Sequence, residues 1–244
     1  MANNFFRFKQ FNVQQDKAAM KVTTDGCLFG AWVAKQIAEQ HQTNMQLLDI
    51  GTGTGLLSLM TAQKNPGCKI DAIEIDKIAY EQAIENVLSS PWKGKISILH
   101  SDIKSFEPGK KYDNIISNPP FYEKELKAVD EKINIAHHDG GLSFNELFST
   151  IKKHLNPGGH FYLLLPYKRN EEIRKLVLEH QFELVHLTLV KQSDSHSYFR
   201  IMLCGKMPSE KNGEIVIEEI AIKDNTDNYT PAFISLLKDY YLYL

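Results

Sequence analysis

From about residue 45 onward the chain alternates between two hydrophobic periods. Short apolar runs (QLLDI, KIDAIEID, KISILHSD and YDNIIS) are separated by segments whose apolar residues recur every three or four positions. That alternation predicts stacked βαβ units around a parallel sheet. LLSLMTAQ reads as a helix after the first strand, and KIAYEQAIENVLSS as a second, with Tyr80, Ile84, Val87 and Leu88 on one face. In LSFNELFSTIKKHL the residues Leu147, Phe148, Ile151 and Leu155 form a helical stripe, and NPGG stops that helix. HFYLLLP is apolar without alternation, as a strand covered on both faces is.

The pattern changes near the end. After the helical NEEIRKLVLEHQF, the strand-like ELVHLTLVK and YFRIMLCGK follow one another too closely for a parallel crossover, which takes about a dozen residues or more. They must pair antiparallel, so a mostly parallel sheet ends in one antiparallel hairpin. The tail GEIVIEEIAIKDNTDNYTPAFISLLKDYYLYL reads as a strand, a polar turn and a terminal helix that cover either the sheet or the site.

Composition narrows the class. A chain of 244 residues, 43% hydrophobic and 24% charged, fits one enzyme-sized domain: a covering segment over 1–45, a core over 46–207 and an extension over 208–244. No apolar run approaches the ~20 residues of a membrane span, and MANNFFRFKQ lacks the apolar centre of a secretory signal. Cys27, Cys68 and Cys204 are widely spaced, which suggests neither a disulfide framework nor a zinc cluster and points to a reducing cytoplasm. The net charge of −2 gives no global basic field, so nucleic acid would have to be held by local contacts. Arg7, Lys9, Lys17 and Lys21 are interleaved with Phe5, Phe6, Phe8 and Phe11, as in an apolar arm packed on the core with its charges in solvent.

The candidate chemistry sits at strand ends. LLDIGTGTGLLSL places Gly51, Gly53 and Gly55 between a strand and a helix, where backbone freedom and close ligand approach are needed. A dinucleotide fingerprint would have a further glycine at 56, where this chain has Leu56. Preceded by Asp49, the spacing resembles motif I of S-adenosylmethionine-dependent methyltransferases. The resemblance implies a Rossmann-like class I fold, with a seven-stranded sheet, an antiparallel last strand and helices on both faces. It also implies that Asp49, Gly51, Thr52, Gly53 and Gly55 surround the methionine moiety of the cofactor. Glu74, with Ile75, would meet the ribose, and Asp102, with Ile103, the adenine.

SNPPFY, Ser117 to Tyr122, ends the fourth strand. A proline there stops the ladder, but that does not account for an Asn before two prolines or the aromatics after them. The stretch resembles the (N/D/S)-P-P-(Y/F/W) signature of methyltransferases acting on planar, conjugated nitrogen, such as adenine N6, guanine N2 or a glutamine amide. Asn118 Oδ1 and the Pro119 carbonyl would accept hydrogen bonds from the amine, Pro120 would stiffen the turn, and Phe121 would stack on the flat acceptor. Asn118 also borders the cofactor.

KVTTDGCLFGAW, Lys21 to Trp32, together with the late SYFR, resembles a bacterial tRNA methyltransferase family that modifies the adenine next to the anticodon of a valine tRNA. The likeness spans roughly the whole chain and implies tRNA as partner, with no membrane and no metal. Lys21 and Asp25 would then lie at the cofactor mouth, with Thr24 or Asp25 capping a helix that runs to Ile37. Arg7, Lys9, the Lys110-Lys111 loop, Tyr122 and His138 would face the RNA. Ribosomal guanine and release-factor glutamine enzymes keep the fold but usually carry a second domain or an N-terminal bundle, for which this chain leaves no room; a single-domain relative of these enzymes stays open as the alternative. A NAD-dependent oxidoreductase, the reading from another class, would give SNPPFY no role.

Overall fold

The computed structural model describes residues 4–18, 20–119, 142–208 and 213–244. Strands β1 (Phe5–Arg7) and β2 (Asn12–Gln14) form a small hairpin ahead of α1 (Thr24–Ala38). The alternating core follows as β3 (Gln46–Ile50), α2 (Leu56–Lys64), β4 (Lys69–Glu74), α3 (Lys77–Leu88), β5 (Ile96–His100) and β6 (Tyr112–Ser117). Next come α4 (Phe144–His154), β7 (Leu155–Pro166), a 3-10 turn over Tyr167–Arg169, α5 (Asn170–Glu179), β8 (Glu183–Ser193) and β9 (Tyr198–Lys206). The chain closes with β10 (Val216–Lys223) and α6 (Pro231–Leu237).

The main sheet has eight strands in the order β10-β8-β9-β7-β6-β3-β4-β5. Only β9 runs against its neighbours, pairing antiparallel with both β7 and β8. The antiparallel hairpin thus stands as expected, while the strand count exceeds the expected seven by one. The eighth strand is β10, the strand of the tail, which adds parallel to the outer edge of β8. The tail extends the sheet through β10, and α6 packs beside α1 and β10: Phe233 and Leu237 are fully buried, and the Tyr240 hydroxyl donates to the Met60 carbonyl of α2 at 3.0 Å. Among the described residues no helix is long and apolar enough to cross a membrane.

Two cores lie on the two faces. One joins α1, α2, α6 and the N-terminal aromatics, with Phe29, Trp32, Leu59 and Phe233 at its centre. The other packs α4 and α5 on the sheet through Leu147, Phe148, Ile151 and Phe161, so the expected stripe of α4 is buried as a unit. On α3 the buried face is rotated from the expected one: Leu88 is 62% exposed, whereas Gln82 and Asn86 are buried beside Ala79, Ala83 and Val87. Hydrogen bonding explains the difference. Gln82 Oε1 accepts from Lys17 N–H, and Asn86 grips Gln14, so two amides on α3 are buried as clamps for the N-terminal arm.

Helix starts follow local chemistry. Ser143 and Glu146 form a reciprocal capping box on α4, and Asp76 caps α3 through the Ala79 N–H. For α1 the cap is Thr23, not Thr24 or Asp25: its extended backbone (φ −117°) lets Oγ1 accept from Gly26 N–H. Asp25 falls inside the first turn, where a negative charge complements the helix dipole.

Candidate active site

Because β5, β4, β3, β6 and β7 run parallel, their carboxyl ends share one edge of the sheet, where open α/β folds bind ligands. Read along that edge, the order is Asp102 after β5, Glu74 on β4, the glycine loop after β3 and Asn118 after β6. Neighbouring strands lie about 4.8 Å apart, so Asn118 is one strand spacing from the glycine loop, and Glu74 is one spacing away on the other side. Ser117 Oγ donates to the Ile50 carbonyl at 2.8 Å and locks the ends of β6 and β3 together.

The loop itself is built to be approached. Gly51, Gly53 and Gly55 have φ of 71°, 56° and 83°, a left-handed conformation that favours glycine. A Cβ added at Gly51 or Gly53 would meet nothing within 4 Å, so both face open space. Gly53 N–H donates to Glu74 Oε2 at 2.8 Å, and Asp76 N–H donates to Oε1 at 2.9 Å. An ionised carboxylate has about four acceptor positions. The two backbone donors fix the orientation of Glu74 and leave acceptor capacity for a diol.

Asp49 is fully buried, and its Oδ2 accepts from Thr52 Oγ1 and Ser58 Oγ, each at 2.7 Å. Among the described residues its buried Oδ1 has no hydrogen-bond partner. Burial pushes this carboxyl up to about 6, against the opposing pull of the two hydroxyls. A buried, under-satisfied carboxylate beside an open glycine loop suits a cationic ligand group, as the ammonium of a methionine moiety is.

With a folded value above the ordinary 3.8, Asp49 favours the free fold most at low pH, and that contribution is lost as pH rises through about 6. A cation beside it reverses the preference by requiring the ionised form. Affinity for S-adenosylmethionine is therefore expected to fall as pH drops below about 6, by up to tenfold per unit, and Asp49→Asn to flatten the profile. Titration calorimetry from pH 5 to 8 checks this; a wild-type affinity constant over that range would contradict it.

At the far side, Asp102 Oδ1 accepts from Lys104 N–H at 2.9 Å, Ile103 is buried, and Ile75 is 63% exposed directly after Glu74. An exposed isoleucine at a strand end, beside an acid that can take ribose hydroxyls, offers a flat purine an apolar face. The glycine loop, the two outer acids, this apolar face and the orphaned Asp49 oxygen together fit S-adenosylmethionine. On the other side of β3, Asn118 lines a cavity with Thr23 and Asp25, and Pro119 is buried. The first turn of α1 comes close to this point: a Cβ on Gly26 would make ordinary contact with Asn118 Nδ2 at 3.9 Å, and a tighter one, 3.0 Å, with the capping Thr23 Oγ1. The expectations for Pro120, Phe121, Tyr122 and His138 lie outside the described residues.

The remaining expected contact residues have the following surroundings. Asp25 is engaged by Arg200, whose Nε donates to Oδ2 at 2.8 Å, so its partner is the start of β9. Lys9 Nζ donates to the Lys238 carbonyl at 2.6 Å, which ties the N-terminal arm to the C-terminal tail. Arg7 and Lys21 are exposed. Lys110 bridges to Asp71 at 2.8 Å beneath the sheet's amino end.

Sequence reasoning missed Asn86. This residue, 1% exposed, accepts from Gln14 N–H and donates to the carbonyls of Gln14 and Thr54. It therefore couples the arm to the glycine loop. The available signal was an amide at the position where a helical stripe should be apolar. Asn86→Ala leaves three backbone groups unpaired, each costing about 1–3 kcal/mol if buried. The thermal midpoint should fall by at least about 4 °C, with easier proteolysis of the arm; an unchanged melting curve would contradict the coupling.

Comparison with known proteins agrees with this geometry. Residues 31–196 match the family model described as the methyltransferase small domain. A protein of Dyadobacter fermentans named tRNA1(Val) (adenine(37)-N6)-methyltransferase is 41% identical over 243 residues, covering 98% of each chain. One of Flavobacterium johnsoniae with the same name is 39% identical, over 97% of this chain and 99% of its own. Among solved structures, one from Agrobacterium tumefaciens described as a predicted O-methyltransferase matches with a TM-score of 0.65 at 16% identity. It covers 87% of this chain and 95% of that one, a likeness of fold. With the open glycine loop flanked by Glu74 and Asn118 on one sheet edge, these matches settle the family: the chain is a member of the methyltransferase small-domain family, within the tRNA1(Val) (adenine(37)-N6)-methyltransferase group.

Proposed function

We propose that this chain, acting as a single domain in the cytoplasm, transfers a methyl group from S-adenosylmethionine to N6 of adenine 37 in tRNA1(Val). The observation that carries the reading is the position of Asn118, one strand from the glycine loop at the end of β6. When bound, S-adenosylmethionine supplies a methyl carbon made electrophilic by the sulfonium.

The residues of this chain act on the acceptor. An exocyclic adenine amine is a weak nucleophile because its lone pair is delocalised into the ring. Asn118 Oδ1 and the Pro119 carbonyl accept its two N–H hydrogens, which favours a more tetrahedral nitrogen with its lone pair aimed along the edge towards β3. The proline locks this geometry in advance, so little reorganisation is left for the transition state. The nitrogen becomes cationic as the new bond forms, and its surplus proton then passes to water; no strong base is needed. Adenine 37 must first be splayed out of the anticodon loop, at a cost of a few kcal/mol.

The test is a partition of label. The protein is incubated with methyl-labelled S-adenosylmethionine and, separately, total tRNA, ribosomal RNA and release factor. Label in tRNA alone is expected, and label in the protein acceptor or in ribosomal RNA would overturn the reading.

A further inference from the structure

Beyond Asn118, on the side away from the glycine loop, the carboxyl edge opens into a cavity of about 630 Å³. Its lining includes Asn118, Tyr167, Lys168 and Tyr198, together with the ion-paired Asp25 and Arg200. The single antiparallel strand explains why these residues meet. β9 begins where β7 ends, with Arg200 opposite Pro166, so the start of one strand and the turn after the other reach the same edge. The volume is within the roughly 300–1,000 Å³ usual for ligand pockets and exceeds what one planar base requires. The groups that fit S-adenosylmethionine lie on β3, β4 and β5, leaving this space to the acceptor side.

We propose that the cavity seats the nucleotide next to the target adenine, its base stacked on the Tyr167–Tyr198 pair and its phosphate held by Lys168 and Arg200. The inference rests on the tRNA-adenine reading above. The aromatic pair is held in place before any RNA arrives. Its ring centroids are 5.0 Å apart at 49°, the Tyr198 hydroxyl donates to Glu219, and Lys191 Nζ stands 4.6 Å from the Tyr198 centroid. Arg200 is oriented likewise by the Asp25 carboxylate. Unpaired RNA is recognised by such pairings of stacking surface and backbone cation, and a chain with net charge −2 has to gather its cations locally.

The test is equilibrium binding of a fluorescent anticodon stem-loop, run beside methyl-transfer kinetics at saturating S-adenosylmethionine. Tyr167→Ala should weaken stem-loop binding about tenfold or more, since a stacked base contributes on that scale. KM for tRNA should rise in parallel, kcat should stay within about threefold, and Tyr167→Phe should restore binding. Lys168 is exposed on the 3-10 turn, so Lys168→Glu leaves the core untouched. That variant should reduce the slope of log affinity against log salt by about one. Wild-type stem-loop affinity and salt slope in both variants would overturn the inference alone. Wild-type protein that labels no tRNA would overturn the substrate reading, and this inference with it.

Discussion

Replacing Asn118 with alanine is expected to lower kcat by about 10²–10³, the range typical for loss of one preorganised hydrogen-bonding group, while leaving the affinity for S-adenosylmethionine within about twofold. The separation follows from the layout of the sheet edge. Asn118 follows β6, whereas the groups that suit the cofactor are carried by β3, β4 and β5. Ser117 already anchors the strand end through its bond to Ile50, so truncating the next side chain does not release the backbone. Asn118→Asp, which keeps an acceptor oxygen, should retain more activity than alanine. Calorimetry for the cofactor beside single-turnover transfer to tRNA separates the two effects. Cofactor binding that collapses together with turnover would make Asn118 a structural residue.

Glu74→Ala should produce the opposite split. Its carboxylate holds Gly53 N–H and Asp76 N–H and retains acceptor capacity for two ribose hydroxyls. Hydrogen bonds to a charged acceptor are worth about 1.5–3 kcal/mol each. Losing two of them should raise the dissociation constant for S-adenosylmethionine about 10²-fold or more. The variant also frees the two N–H groups that shape the glycine loop. At cofactor concentrations high enough to saturate it, kcat should recover towards wild type, because Asn118 and Pro119 are untouched. A cofactor affinity unchanged by Glu74→Ala would remove this carboxylate from the site.

Much of this arrangement was legible in the residues, for identifiable reasons. The βαβ core could be read because strand and helix differ in period, and α4 buried its predicted stripe because Leu147, Phe148, Ile151 and Leu155 pack into one apolar cluster against the sheet. The antiparallel hairpin followed from chain length alone, since the link between β8 and β9 is too short to cross over. The glycine loop and its acids were legible because each falls at a strand end, where a glycine or a carboxylate stands out against the apolar run that precedes it.

Long-range polar pairing was not legible. Asp25 meets Arg200, 175 residues away, and no local pattern encodes such a contact. The α3 face was misjudged because Gln82 and Asn86 serve the backbone of a distant arm rather than an apolar surface. Thr23 displaced Thr24 and Asp25 as cap because three adjacent polar residues offer equivalent local chemistry, and only the entry angle of the chain selects one. The eighth strand required knowing that β8 leaves an open edge on which the tail can pair.

The proposed reaction is defined by one atom, N6 of adenine 37. The direct measurement uses two transcripts of tRNA1(Val), one with adenine 37 and one with guanine there, each incubated with the protein and S-adenosylmethionine and mapped by mass spectrometry after nuclease digestion. One methyl group on N6 of adenine 37 in the first transcript, and none in the second, is the predicted result. Methylation that persists in the guanine transcript, or that falls on another base of the first, would contradict it.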